Sequence, residues 1–234
     1  MDVEFVDYND AAKVIAATEA KWWKELTDVI GGMRLHLKAS DQAKKVGKSI
    51  FDPVGTNAYF NHELAVKRGW RGKLPLPKKF QFLGKDIDFG KGGLLLEVQF
   101  SNYPFLLNNL LRSELLYKQR DSVVLGDRKI EAVVILTKAG MFPASNSTLY
   151  YEQAKKQLDA LAEQRVFTVP LRLAGLFVPL GQAITARKTT YKTARYSRAP
   201  VVAEDVTVTY DRRVTPALET VPEPEATAAN PSAE

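Results

Sequence analysis

The chain has 234 residues, of which 45% are hydrophobic, and a net charge of +6; this is enough apolar material for one substantial core. Cysteine is absent and histidine occurs twice, at His36 and His62, which excludes disulfide scaffolds and thiolate zinc sites. Any bound metal is therefore left largely to oxygen donors, the preference of hard ions such as magnesium or manganese.

No stretch approaches the roughly 20 apolar residues of a membrane span, and the opening MDVEFVDYND lacks the basic and apolar regions of a secretory leader. A soluble cytoplasmic protein without membrane partners is expected. Residues 215–234 hold four glutamates and no basic residue, so residues 1–214 carry +10. A surplus of that size favours a polyanionic partner. The sequence predicts a single domain over 1–214 and a disordered acidic tail over 215–234, where proline, alanine and glutamate dominate.

In chain order, residues 9–30 place Val14, Ile15, Trp22, Leu26, Val29 and Ile30 at helical spacing, and Gly31 with Gly32 ends the run. A second helix is predicted over 52–70, with Pro53 near its start and Gly69 as its stop. RGKLPLPKKF, residues 71–80, reads as an extended connector because of its two prolines. LLLEVQF at 94–100 fits a strand entered from the turn GKGG, followed by a helix that Ser101 or Asn102 can cap and that runs to Arg120. A strand at 131–137, a helix at 149–162 and a strand at 168–178 follow. This alternation implies an α/β or α+β class, with a mixed sheet flanked by helices. Beyond Leu180 the pattern weakens: residues 187–198 read as a basic arm, and Val206 to Tyr210 as a short strand.

Alternate side chains of a strand share a face, so Glu97 and Gln99 stand side by side within an otherwise apolar run. An unpaired carboxylate there is costly to bury and ionises when matched to a cation. Asp88 precedes Glu97 by nine positions, and FGKGG between them can turn so that Asp88 ends one strand and Glu97 stands on the next; Asp86 is the fallback if the register slips. Asp88, Glu97 and a backbone carbonyl such as that of Val98 make a hard-cation site with positions open for water and a phosphate oxygen. Such a site can hydrolyse a phosphodiester. An amide takes no proton at neutral pH, so Gln99 is assigned to orienting the attacking water.

The segment IDFGKGGLLLEVQFSNYPF resembles the active-site segment of the BglII/BstYI group of type II restriction endonucleases. DPVGTNAYFNHELAVKRGW upstream, and STLYYEQAKKQLDAL with VPLRLAGLFVP downstream, extend the resemblance over residues 50 to 180. It implies a PD-(D/E)xK core, a homodimer, magnesium, and cleavage of double-stranded DNA at palindromes centred on GATC, with Asp88, Glu97 and Gln99 as the catalytic set. A cognate DNA methyltransferase is the implied partner in such a system. Asn102 stands where relatives are expected to carry lysine. The alternative is a DNA-binding or repair protein on the same fold that is catalytically inactive or indifferent to sequence.

DNA contacts are expected from Asn102, from Arg68, Arg71 and Lys73 in an acid-free stretch, and from Arg187, Lys188, Lys192 and Arg195 in the basic arm. Asn57 and Glu63 on the second helix are accessory candidates. GKGG is a turn and not a phosphate-binding loop, because no GK[ST] ends it.

Overall fold

In the computed structural model, which describes residues 1–40, 42, 46–119, 124–126, 128–193 and 198–214, a central sheet of six strands has the order β1-β8-β7-β6-β5-β4. Its members are β1 (Asp2–Tyr8), β4 (Arg71–Pro75), β5 (Asp86–Lys91), β6 (Leu94–Val98), β7 (Ala132–Lys138) and β8 (Leu171–Phe177). Strands β6, β7 and β8 run parallel, while β1, β5 and β4 add antiparallel pairs on the two sides.

Both β7, AVVILTK, and β8, LRLAGLF, are buried along their whole length. Strands covered on both faces lose the polar alternation of a half-exposed sheet, and their near-continuous apolar runs are what made them legible. Helices α4 (Phe105–Gln119) and α5 (Tyr151–Glu163) make the crossovers that parallel strands require.

The long first helix has three parts: α1 (Ala11–Val14), a π turn (Ile15–Glu19) and α2 (Ala20–Gly31). The second begins at α3 (Pro53–Phe60), where Asp52 caps the first turn by accepting from the Val54 N–H at 3.0 Å, and passes into a π turn (Asn61–Val66).

A second sheet, in the order β10-β9-β2-β3, contains β2 (Leu35–Ala39), β3 (Ser49–Phe51), β9 (Ile184–Tyr191) and β10 (Pro200–Val208). It corrects two expectations. The basic arm is not irregular at its start, since Arg187 to Tyr191 lie within β9. The expected short strand at 206–210 falls partly on the end of β10, which spans nine residues and stops at Val208. In β9 the apolar residues are few and the charged ones face β10, so periodicity gave no signal there.

The connector at 71–80 also divides differently: Arg71–Pro75 is the edge strand β4, and Lys78–Leu83 is a 3₁₀ turn. An edge position tolerates Pro75, which has no N–H to donate. Among the described residues, no helix is long and apolar enough to cross a membrane.

Candidate active site

Strands β5 and β6 form a hairpin with a two-residue turn, pairing Lys91 with Leu94, Gly90 with Leu95 and Phe89 with Leu96. Gly92 takes φ +61°, a conformation open to glycine, and a Cβ there would also collide with Trp22. The hairpin register brings Asp88 beside Glu97. Asp88 lies inside β5 and not at its end, and its Oδ2 accepts the Val98 N–H at 2.8 Å.

Strand β6 is an inner strand with β5 on one side and β7 on the other, and Glu97 is completely buried. The Arg112 guanidinium, from α4, meets the Glu97 carboxylate in a fork: Nε reaches Oε1 at 2.6 Å and the second nitrogen reaches Oε2 at 2.6 Å. Burial pushes the Glu97 carboxyl up to about 8 and the nearby Asp88 adds to this, although Arg112 pulls the other way. Burial likewise raises Asp88, with Asp86 adding, while the Val98 N–H and Arg112 oppose it. Two carboxylates thus share a water-poor space in which one guanidinium leaves them short of positive charge.

Gln99 is held by three side-chain contacts. Its amide nitrogen donates to Ser101 Oγ and to the Asn102 carbonyl, both at 3.2 Å, and its Oε1 accepts from Asn109 Nδ2 at 3.3 Å. The Oε1 keeps a second lone pair for another donor. Asn102 itself is exposed and forms a bridge with Thr148.

The basic candidates fall into two groups. Arg71 and Lys73, on β4, are exposed, and neither is in an ion pair among the described residues. Arg68 is tied to Glu63 at 2.6 Å, with Lys67 on the other Glu63 oxygen at 2.7 Å. Arg187 pairs with Asp205 at 3.3 Å, Lys188 lies 3.9 Å from Glu204, and Lys192 is exposed. Asn57 is exposed on α3, and among the described residues neither it nor Glu63 hydrogen-bonds to the Asp88, Glu97 and Gln99 cluster. Arg195 and the tail 215–234 lie outside the described residues.

The sequence reading missed Arg112, Asn109 and Lys138. A buried carboxylate calls for a cation beside Glu97, but the rule does not say which of the basic residues supplies it. Nothing in the linear pattern singles out Asn109 or Lys138.

The family model "Restriction endonuclease BglII/BglIII" matches residues 3–176. The chain is 52% identical over 198 residues to the type II restriction enzyme BglII of Bacillus subtilis, covering 85% of this chain and 86% of that one. A crystal structure of restriction endonuclease BglII complexed with a DNA 16-mer matches with a TM-score of 0.83 at 50% identity, covering 88% of this chain and 92% of that one. Free BglII matches with a TM-score of 0.71 at 45% identity, over 92% and 98%. The chain belongs to the BglII family and is a type II restriction endonuclease.

Proposed function

We propose that Asp88, Glu97 and Gln99 are the active site of a homodimer that, with Mg²⁺, cuts both strands of a short palindrome centred on GATC. The observation that carries this reading is the pair of carboxylates on adjacent strands, both raised by burial and served by a single guanidinium.

The donors fit a hard divalent cation. Asp88, Glu97 and the Val98 carbonyl are all oxygen, and magnesium is commonly held by one or two carboxylates together with substrate phosphate and water. When bound, the ion supplies a more acidic water and offsets charge on the phosphate.

The protein's own groups do the rest. Arg112 fixes the Glu97 carboxylate in one orientation, and the Val98 N–H does the same for Asp88. Gln99, anchored through its nitrogen, turns Oε1 toward the attacking water and takes no proton.

DNA is gripped by Arg71 and Lys73, with Arg68, Arg187, Lys188, Lys192 and Arg195 as further phosphate contacts. Asn102 leads a set of exposed polar groups with Ser101, Asn146 and Ser147 beside Gln99, suited to hydrogen-bond base edges. Asn57 and Glu63 stay in accessory roles.

A two-fold site is best read by a two-fold protein. The α4 region supports this, because Phe105, Leu107 and Leu111 are each 45% exposed and a second copy would cover them. Residues 1–214 act as one nuclease domain and the acidic tail stays outside it. Such an enzyme works in the cytoplasm beside a DNA methyltransferase that protects the host's copies of the site.

The test is a pair of linear duplexes, one with a single GATC-centred palindrome flanked by varied bases and one with that word scrambled, incubated with and without Mg²⁺. Cleavage of the first duplex alone, and with Mg²⁺ alone, is expected. Equal cleavage of both would mean a sequence-indifferent nuclease, and binding without cleavage an inactive one.

A further inference from the structure

Lys138 is the last residue of β7 and is completely buried. Its ammonium donates to the Phe100 carbonyl at 2.9 Å, to Thr148 Oγ1 at 2.5 Å and to the Leu149 carbonyl at 3.0 Å. The Thr148 hydroxyl spends its own proton on the Phe100 carbonyl at 2.9 Å, so its oxygen is left to accept from Lys138. Three N–H donors thus meet three acceptors. The rings of Phe51 and Tyr150 lie 5.4 and 5.1 Å from the nitrogen.

Among the described residues no carboxylate pairs with this ammonium, and burial pulls it down to about 7. A methionine would fill the same space without desolvating a charge. What the ammonium does that an apolar side chain cannot is bind two chain segments at once.

Those segments are the two that frame the site. Residues 99–103 follow the β6 carboxylate, and residues 146–149 lead into α5. They are bonded to each other by Leu149 N–H to the Ser101 carbonyl at 3.0 Å, by Tyr103 N–H to the Ser147 carbonyl at 3.2 Å, and by the Asn102–Thr148 bridge. Gln99 joins the same assembly through Ser101 and Asn102. The pair of loops exposes Ser101, Asn102, Asn146 and Ser147 on its outer side and rests on Lys138 on its inner side.

We propose that Lys138 is a positioning residue that sets the register of this loop pair against the active-site strand, so that correct base contacts place Gln99 for cleavage. The inference rests on the reading of these loops as the base-reading surface. In physical terms, a one-point anchor in β7 holds both loops, and its loss lets them shift relative to Glu97 and relative to each other. Phosphate contacts made elsewhere are untouched.

The experiment compares wild type with Lys138→Met and Thr148→Val. The second variant keeps the charge and removes one acceptor and the Thr148–Phe100 bond. Thermal melting first establishes that each variant folds. The readout is the ratio of kcat/KM for the enzyme's cleavage site to that for the same site with one base pair changed, together with binding to random duplex. The site is mapped beforehand by sequencing the ends that wild type produces. If wild type yields no preferred site, it is the base-reading assignment that fails, before any variant is compared.

The expected result is a fall in the ratio of about tenfold or more for Lys138→Met, a smaller fall for Thr148→Val, and random-duplex binding unchanged in both. A role confined to stability would lower the melting temperature and leave the ratio of the folded enzyme at the wild-type value. That outcome in both variants overturns the proposal. Should Lys138→Met fail to fold, the ratio measured for Thr148→Val decides in the same way.

Discussion

Arg112 on α4 holds both oxygens of Glu97 on β6 at 2.6 Å, 15 residues away in sequence, in a space where Glu97 is completely buried. The relationship gives the first prediction. Arg112→Met leaves a buried carboxylate beside Asp88 with no counter-cation, and removal of one partner of a buried pair costs about 3 kcal/mol. Denaturant unfolding of the metal-free protein should show a loss of that order. Added Mg²⁺ should restore more stability to the variant than it gives wild type, because the ion then replaces the missing charge as well as binding. Equal stabilisation of the two proteins by Mg²⁺ would separate Arg112 from the ion's site.

Gln99→Ala should slow cleavage less than loss of either carboxylate, since the amide orients water and supplies no charge. The structure adds a second effect. Without the bonds to Ser101 and Asn102, the loop loses an anchor, so discrimination between the enzyme's site and single-base variants should relax along with kcat. Single-turnover rates on both substrates measure this, and a Gln99→Ala defect larger than that of Glu97→Ala would remove the assigned role.

The exposed Arg71 and Lys73, in no ion pair among the described residues, should carry more of the salt dependence of DNA binding than Arg187, which already pairs with Asp205. Each lost phosphate contact flattens the log–log salt slope by about 0.9. Arg71→Ala with Lys73→Ala should therefore flatten it by about 1.8, and Arg187→Ala with Lys192→Ala by less. The reverse order would move the phosphate-gripping face to the second sheet.

His36 on β2 carries a buried Nδ1 with no hydrogen-bond partner among the described residues. Burial pulls its pKa below the ordinary value, Asp52 opposes this, and Arg187 adds to it. The unfolded chain therefore binds a proton near pH 6.5 that the folded protein refuses until a lower pH. Stability from this group is present above about pH 6.5 and lost as pH falls toward the folded value. The melting temperature of His36→Gln should fall less between pH 7 and the acid limb than that of wild type; parallel curves would assign the acid sensitivity elsewhere.

The parts of this fold that were legible in the sequence are those where burial leaves a one-dimensional trace. Strand β6 with Glu97, Gln99 one residue past its end, and strands β7 and β8 lie in short apolar runs bounded by turns, and Asp88 came within reach through the glycine turn between the carboxylates. Strands β1, β2 and β9 were invisible, and only the end of β10 was read, because their residues alternate weakly or carry charge satisfied across strands, as Arg187 is by Asp205. Arg112 and Lys138 were hidden for a different reason. Each acts on a group far away in sequence, Arg112 on Glu97 and Lys138 on Phe100 and Leu149, and no local pattern marks a charge whose partner is set by the sheet order.

The most direct test of the account is a digest of one supercoiled plasmid by wild type, Asp88→Ala and Glu97→Ala, each with and without Mg²⁺, alongside a measurement of DNA binding for all three. Wild type with Mg²⁺ should give discrete bands with ends at one word. Both variants should leave the plasmid supercoiled under every condition while binding duplex at least as tightly as wild type, because a carboxylate that repels phosphate has gone. Near-wild-type cleavage by either variant, or discrete cleavage by wild type in a metal chelator, would contradict the assignment of Asp88 and Glu97 as the metal-holding pair.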